Sequence, residues 1–392
     1  MDELDDYGNF NTRYEGVGRI EYLPGEPVHA YFEARQLADG RLLIACVSTG
    51  EVIRDNPHAI DGNLLSGEPF STIWGMGIKE IYRSDGNISK AHYIANMTRV
   101  RYTQDLQPDD HSIQVALHNF IPGANTEVSN NSLNFQLQGY NLAISPVGNY
   151  SQQSERLLRY GGSLRTSWVK VQLTDDQGDR PIRQTNIKDV VTDMLNPISL
   201  ALGTLVTCPQ AITLDAKGNR NDVEHYSFHT IPFSKFICTQ GWDAPVKETV
   251  EAWFSPTRPR LLGDEELAVC IRQHLDACST ELYLETRALA AATLLDVLAG
   301  RYATNWSPQL QPHSIPFRRK LKRLLSDLSI GISDRHLDAI IKARNSLVHS
   351  GSFVTSEHDK TYSEYQNLML LGRSILLRLI GFPSMLHEAI VS

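Results

Sequence analysis

The chain has 392 residues, of which 41% are hydrophobic and 21% charged, and its formal net charge is −8 at pH 7. This length predicts two or three domains, because a single hydrophobic core rarely grows so large. The composition is typical of a soluble globular protein, and no run of about 18 apolar residues indicates a membrane span. Residues 1–6 are acidic and lack the basic and apolar regions of a signal peptide. We therefore expect a cytoplasmic protein.

Motifs for several large classes of protein are missing. The five cysteines are scattered and none forms a Cys-x-x-Cys pair, which argues against a disulfide framework and a structural zinc site. The sequence also lacks a P-loop, a dinucleotide fingerprint and a Gly-x-Ser-x-Gly motif. An NTPase, a dehydrogenase and a serine hydrolase are therefore excluded, and we expect no cofactor and no metal.

Charge is distributed unevenly along the chain. Residues 257–392 contain 16 Lys and Arg against 14 Asp and Glu, whereas residues 1–256 contain 21 against 31. The two parts therefore carry +2 and −10. This asymmetry indicates a boundary near residue 257 and a C-terminal part that tolerates a polyanion better.

Strand signals dominate the first two-thirds of the chain. The turn dipeptides Pro24-Gly25 and Asp39-Gly40 separate the first three strand-like runs. The strand-like segments in chain order are 18–22, 28–34, 42–47, 93–102, 113–120, 133–144, 167–173 and 223–229. Their spacing predicts a β sandwich or an open barrel. Residues 187–205 instead have helical periodicity, with Pro197 kinking or dividing the helix.

The pattern changes after residues 255–260, where two prolines predict a linker. Helical periodicity then predicts the segments 264–278, 280–302, 316–328, 334–349 and 357–380. Ser333 is the expected N-cap of the fourth helix and Gly351 closes it. We predict an α+β multidomain protein, with a β-rich domain over 1–256 and an all-α bundle over 262–385.

The fourth of these helices ends in the motif Arg344-Asn345-x-x-x-His349, followed by Gly351. This motif resembles the HEPN superfamily signature. With the long last helix ending at 376–381, the pattern is similar to the HEPN domain of the ApeA-like antiphage proteins. The N-terminal part is more loosely similar to the β-rich domain of those proteins, over 18–22 and 133–140. The resemblance implies a dimeric HEPN ribonuclease acting in antiphage defence or abortive infection. It also implies an N-terminal domain that senses a phage-derived or small-molecule trigger.

The residue types in the motif suit RNA cleavage. A separation of five residues places Arg344 and His349 roughly 140° apart on a helix, so one copy makes a poor catalytic cluster. Two copies meeting across a two-fold axis would supply two of each residue around one phosphate. His349 can move protons near neutral pH, Arg344 can bind phosphate oxygens, and Asn345 can orient either of them. The expected products are a 2′,3′-cyclic phosphate and a 5′-hydroxyl.

The densest basic run of the sequence precedes this motif. Its members, predicted to guide an RNA backbone, are Arg318, Arg319, Lys320, Lys322 and Arg323. The alternative is a solvated helix face, with the apolar positions Phe317, Leu321, Leu324 and Leu325 on the buried side. His225 and His229 alternate on a predicted strand, so they would share one face; core histidines explain them better than a metal pair.

Two other functions stay open. The helical region could be a non-catalytic dimerisation or RNA-binding scaffold, because a surface Arg and a His that favours the helix dipole also explain the motif. The β-rich domain could instead bind a carbohydrate or another ligand. The aromatic residues that permit this are Trp74, Tyr82, Tyr93 and Tyr140. Packing in a hydrophobic core explains them more simply.

Overall fold

The computed structural model describes residues 13–22, 25–37, 41–49, 51, 53, 57–83, 88–102, 112–120, 133–137, 140–148, 150–160, 164–173, 184–226, 246–279, 282–306, 315–353 and 357–382. A β-rich region is followed by C-terminal helices. The chain divides into two compact units. The first consists of residues 1–120, 128–192 and 207–230, and the second of residues 121–127, 193–206 and 231–392.

Six antiparallel strands at the start of the chain form a barrel. They are β1 (Arg13–Glu21), β2 (Val28–Gln36), β3 (Leu42–Thr49), β4 (Ala59–Leu64), β5 (Pro69–Arg83) and β6 (Ile88–Arg101). The strand order is β3-β2-β1-β4-β5-β6, and the pairing of β3 with β6 closes the ring. Alternate residues of β2, β3 and β6 fill the core; on β2 these are Val28, Ala30, Phe32 and Ala34. The prediction was a β sandwich or an open barrel, whereas these six strands form a closed barrel.

The remaining strands form a sheet that continues from the barrel. Its strands are β7 (Ser112–His118), β8 (Leu133–Leu137), β9 (Tyr140–Pro146), β10 (Arg165–Leu173), β11 (Thr207–Leu214) and β12 (Arg220–Tyr226). Two helices, α1 (Tyr150–Tyr160) and α2 (Gln184–Leu202), lie between these strands in the sequence. The strand order is β12-β11-β7-β10-β9-β8. The long strand β6 joins the two parts, because residues 88–95 pair with β3 and residues 97–101 pair with β12.

The predicted strands are confirmed where the structure describes them, and the segment 133–144 proves to be two strands. Residues 227–229 lie outside the described residues. Strands β4, β5 and β11 were not predicted. Strand β11 contains Pro209, which lies where that strand is bulged against β7 and interrupts no regular pairing there. The predicted helix over 187–205 is confirmed as α2, which contains Pro197.

The C-terminal helices are α3 (Val246–Phe254), α4 (Asp264–Cys278), α5 (Leu284–Trp306), α6 (Phe317–Asp327), α7 (Asp334–Ser350) and α8 (His358–Leu379). Helices α4 to α8 confirm the five predicted helices, while α3 was not predicted. The predicted linker 255–260 contains neither helix nor strand. Its Arg258 is nevertheless buried, donates from Nη1 to the Trp253 carbonyl over 3.1 Å and pairs with Asp264. The linker is therefore held against the ends of α3 and α4.

Helix α5 is central among these helices, because it packs against α4, α6, α7 and α8. Its buried residues are mostly alanine and leucine, which allow close packing on several sides. At Gly372 of α8 the approach to α5 is so close that a Cβ atom would lie 2.8 Å from Cδ2 of Leu294. This packing brings parts of α5 and α6 beside the motif-bearing helix α7.

Candidate functional site

Helix α7, which carries the predicted catalytic residues, has a defined beginning and end. The hydroxyl of Ser333 accepts a hydrogen bond from the His336 amide over 3.2 Å, as an N-cap does. At the other end Gly351 adopts φ 67°, a left-handed conformation that glycine adopts without strain. The predicted caps are confirmed. The buried face of the helix consists of Leu337, Ile340, Ala343 and Leu347.

Arg344 lies next to this buried face and is held from three sides. Its Nε donates to Oδ2 of Asp296 over 3.0 Å, and its Nη2 donates to the same carboxylate oxygen. Its Nη1 donates to Oδ1 of Asn345 over 2.8 Å. The guanidinium carbon lies 4.7 Å from the ring centroid of Phe317. Only 14% of the Arg344 side chain is exposed, so the guanidinium has a fixed position and orientation.

Asn345 and His349 are exposed on the outer side of the same helix. They are four residues apart and therefore share a face, whereas His349 and Arg344 diverge around the helix. Among the described residues, no hydrogen bond joins the side chains of Arg344 and His349. Asn345 lies between the two: its side chain accepts a hydrogen bond from Arg344, and it shares a helix face with His349. One copy of the helix thus presents a fixed cation and an accessible imidazole on different faces.

A set of serine hydrogen bonds fixes the turn that follows His349. The Ser346 hydroxyl donates to the Ser352 carbonyl over 2.8 Å, and the Ser350 hydroxyl donates to the Ser346 carbonyl over 2.6 Å. The hydroxyls of Ser350 and Ser352 are 3.1 Å apart. These bonds satisfy carbonyl groups at a helix end, where intrahelical partners are missing. The backbone that carries His349 is therefore ordered although its side chain faces solvent.

The basic run on α6 pairs largely with carboxylates. Arg318 contacts Asp338 and Asp334, and the Nζ of Lys322 lies 2.9 Å from Oδ1 of Asp334. The hydrogen bond from Lys322 is the main cause that lowers the pKa of Asp334. Arg323 pairs with Asp327, at 2.9 Å. At least three of the five predicted RNA-binding side chains thus have a carboxylate partner among the described residues.

The other two members of the run have different environments: Arg319 is exposed and Lys320 is partly buried. The apolar side of α6 agrees with the expectation for a solvated helix, since Leu321, Leu324 and Leu325 are buried. Phe317 is only half-buried, and its ring lies against the guanidinium of Arg344. The charge on α6 that could attract RNA is therefore smaller than the sequence suggests.

Asp296 is the residue of this site that the sequence reasoning missed. It is the one carboxylate in the otherwise largely apolar stretch 288–299 of α5, and 30% of its side chain is exposed. An isolated acid in an apolar helix face is costly unless it is paired, so it was a usable signal for a cationic partner. Phe317 had been assigned to the core alone. Neither could be linked to Arg344 from the sequence, because they are 48 and 27 positions away.

The predicted histidine pair and the aromatic residues of the β-rich region have different environments, and some of them lie outside the described residues. His225 is buried and its Nε2 lies 2.9 Å from the hydroxyl of Tyr14, which agrees with a core histidine. Tyr93 is also fully buried, as core packing predicted, whereas Tyr140 is partly exposed. His229 and the side chains of residues 73–83, which include Trp74 and Tyr82, lie outside the described residues. Within the described ranges, no group of three or more His, Cys, Asp or Glu could hold a metal ion.

The fold and site define a two-part chain, with a β barrel and sheet followed by a helical region that presents Arg344, Asn345 and His349. No protein-family model, curated protein or solved structure matches the chain. In the described parts of the chain, none of the helices combines the length and hydropathy needed to span a membrane.

Proposed function

We propose that this chain is a metal-independent endoribonuclease of HEPN type that acts as a homodimer through its helical region. One observation carries the proposal. Arg344 is fixed by Asp296, Asn345 and Phe317, while His349 is exposed on the ordered end of the same helix. A rigid cation and an accessible imidazole are the two groups that cleavage of RNA by its own 2′-hydroxyl requires.

The chemistry would run as a transfer within the RNA. The 2′-oxygen attacks the neighbouring phosphorus, and His349 of one copy takes the proton of the 2′-hydroxyl. The bond from phosphorus to the 5′-oxygen breaks, and His349 of the other copy supplies the proton for that oxygen. Arg344 stabilises the negative charge that develops on the phosphate oxygens. The products are a 2′,3′-cyclic phosphate and a 5′-hydroxyl, with no redox change.

Asn345 would have a positioning role. Its Oδ1 accepts from Nη1 of Arg344, whereas Nε and Nη2 of the same guanidinium donate to Asp296. In a two-fold dimer of α7 helices, the exposed faces with Asn345 and His349 would lie on either side of one phosphate. We further propose an antiphage or abortive-infection role, in which the β-rich region responds to a trigger. This last step is supported only by the resemblance of the sequence.

The deciding experiment measures cleavage of a mixed RNA pool in EDTA. We expect the wild-type protein to cleave, and His349→Ala to lower the rate by about 10²- to 10⁴-fold, as loss of a general acid or base does. The cleaved RNA should carry a 2′,3′-cyclic phosphate at one new end and a 5′-hydroxyl at the other. His336→Ala is the matched control, because His336 lies on the same helix, is partly buried and faces Asn367 of α8. This control should retain the wild-type rate.

Two results would contradict the proposal. Cleavage by His349→Ala at the wild-type rate would show that another site is responsible. A folded, dimeric wild-type protein that does not cleave RNA, alone or with an extract of phage-infected cells, would argue against ribonuclease activity. Arg344→Ala is less informative alone, since loss of its contacts with Asp296 and Phe317 also affects packing.

A second candidate function is a non-catalytic scaffold for dimerisation or RNA binding. The observation that favours it is the ion pair of Arg344 with Asp296, because a carboxylate partner reduces the positive charge available to a phosphate. The carboxylate partners of Arg318, Lys322 and Arg323 favour the same function, because they reduce the positive charge available to RNA. A scaffold would bind RNA or dimerise equally well after His349→Ala, so binding and mass measurements on that variant separate the two functions.

A further inference from the structure

Five buried polar side chains form a row on one face of the second sheet. Residues that stand directly opposite each other in antiparallel strands share a face. His118 of β7 stands opposite Arg165 of β10 and also opposite Thr207 of β11. Two positions along β7, Ala116 stands opposite Gln210, which in turn stands opposite His225 of β12. We call Arg165, His118, Thr207, Gln210 and His225 the polar row.

The backbone around the polar row is irregular on both sides of β7. The register of β10 shifts between Arg165 and Ser167, and that of β11 shifts between Thr207 and Gln210. Both bulges lie at the same end of β7, and bulges are frequent where a side chain is redirected next to a functional site. Asn119 follows with φ 62°, and it is fixed because Leu164 donates to its Oδ1 over 3.2 Å.

Two side chains of the row have unused hydrogen-bonding atoms. Gln210 is 1% exposed and Thr207 is 7% exposed. Within the described part of the chain, neither Oε1 of Gln210 nor Oγ1 of Thr207 has a hydrogen-bond partner. Buried polar atoms are nearly always paired in folded proteins, and leaving them unpaired is destabilising. By contrast, Thr213 on the other face of β11 accepts a hydrogen bond from the Asp222 amide over 3.1 Å.

A buried arginine lies at one end of the row. Arg165 is only 6% exposed, and its guanidinium carbon lies 4.7 Å from the ring centroid of Trp168. Burial, followed by the charge of Arg165, lowers the pKa of His118 to about 3. His118 is therefore neutral at physiological pH, with one ring nitrogen able to donate and the other able to accept. The row thus combines one cation with neutral donors and acceptors over about 14 Å, the width of three strand spacings.

We infer that the polar row is a binding site for a small organic anion, whose charged group contacts Arg165 and His118 and whose hydroxyl groups pair with Thr207 and Gln210. The charged group is a phosphate or a carboxylate, which a guanidinium binds in the same way. The neighbouring hydroxyl of Tyr14 on His225 extends the same polar surface. This site lies in the β-rich region and does not depend on ribonuclease activity in the helices.

The test is ligand-induced stabilisation and direct binding with the full chain. The probes are ribose 5-phosphate, gluconate, inorganic phosphate and, as a neutral comparison, ribose. We expect one of the two organic anions to raise the thermal midpoint by about 5 °C at roughly 100 times its Kd, and ribose to have no effect. Ribose 5-phosphate and gluconate distinguish a phosphate from a carboxylate. Isothermal titration calorimetry should give the same preference.

Two substitutions that keep side-chain shape locate the site. Thr207→Val and Gln210→Leu should leave the thermal midpoint without ligand unchanged or higher, because each removes an unpaired buried atom. Each should also reduce the ligand-induced shift at least by half. Thr213→Val is the matched control on the same strand. It removes a used acceptor, so it should lower the midpoint without ligand and keep the ligand-induced shift.

Three outcomes would overturn the inference. The first is that none of the anionic probes binds or stabilises the folded chain at millimolar concentration. The second is that ribose stabilises as much as the anions, which would mean that Arg165 does not select charge. The third is that Thr207→Val and Gln210→Leu lower the midpoint without ligand while the ligand-induced shift stays the same. In that case the two side chains are structural and the anion binds elsewhere.

Discussion

The polar row of the second sheet and the end of helix α7 are built in opposite ways. The polar row brings together residues from four strands, and all five side chains are at least nine-tenths buried. At the end of α7, the three residues Arg344, Asn345 and His349 lie within a span of six positions on one helix. Asn345 and His349 are exposed. Both regions contain an arginine and a histidine, and Arg344 pairs with the carboxylate of Asp296.

This difference indicates how each region relates function to stability. An exposed imidazole contributes little to folding, so His349 can be changed without affecting the fold. A buried histidine beside a buried guanidinium affects folding directly, because the native state disfavours its protonated form while the unfolded state does not. We therefore expect the polar row to respond to pH through stability, and the α7 end to respond to substitution through activity.

The largest expected effect concerns acid stability of the polar row. The folded pKa of His118 is about 3, below its ordinary value of 6.5, so the unfolded state binds more protons between these values. Stability is therefore retained above pH 6.5 and lost as the pH falls toward 3, by about 1.4 kcal/mol per pH unit for this histidine. Urea unfolding of His118→Gln at pH 6.5 and pH 5 should show a loss smaller by about 2 kcal/mol.

Buried His274 of α4 provides the matching case in the helical region. Its pKa is also lowered to about 3, first by burial and then by the charge of Arg373. His274→Gln should reduce the acid-induced loss of stability by a similar amount, about 2 kcal/mol at pH 5. If wild type and both variants lose equal free energy of unfolding between pH 6.5 and pH 5, these histidines are not the groups that titrate.

An effect of similar size is expected from the ion pair that holds Arg344. Asp296→Ala leaves a guanidinium with only 14% of its side chain exposed, and it should lower the free energy of unfolding by about 1–3 kcal/mol. Arg344→Ala should have a similar effect, and the double variant should lose less than the sum. A coupling energy below about 0.3 kcal/mol in this cycle would mean that the two side chains act independently.

The N-cap of α7 should contribute less again. Ser333→Ala removes the acceptor of the His336 amide, and the expected loss in the free energy of unfolding is about 1 kcal/mol. Ser326→Ala is a matched control, since Ser326 is exposed within α6 and does not cap a helix start. Chemical denaturation of both variants measures the difference. Equal stability of the two would show that α7 is held by packing alone.

The smallest effect on stability is expected for His349→Ala. The side chain is exposed in the last turn, where a charged histidine gains only a few tenths of a kcal/mol from the helix dipole. Its thermal midpoint should match that of the wild-type protein within about 1 °C. A larger decrease would remove the contrast between the two regions, because His349 would then be a structural residue as well.

The sequence predicted the helices better than the strands. Helices α4 and α7 begin where the sequence analysis placed them, because acidic first turns, a serine cap and a terminal glycine are local signals. Strand β4 was missed since its run Ala-Ile-Asp-Gly-Asn-Leu contains three residues typical of turns. Strand β11 was also missed; it contains Pro209, a residue that disfavours central strands, and only the partner strand β7 shows that this proline lies in a bulge.

The sequence by itself determined the spacing of Arg344, Asn345 and His349, since all three lie on one helix whose periodicity and caps are local. Only the tertiary structure decided that Asp296 and Phe317 hold Arg344, that β3 and β6 close a barrel, and that five distant side chains form the polar row. The physical reason is that pairing between strands and packing between helices join residues far apart in the chain. Such partners are selected by register and burial of the whole fold, which no short stretch of sequence encodes.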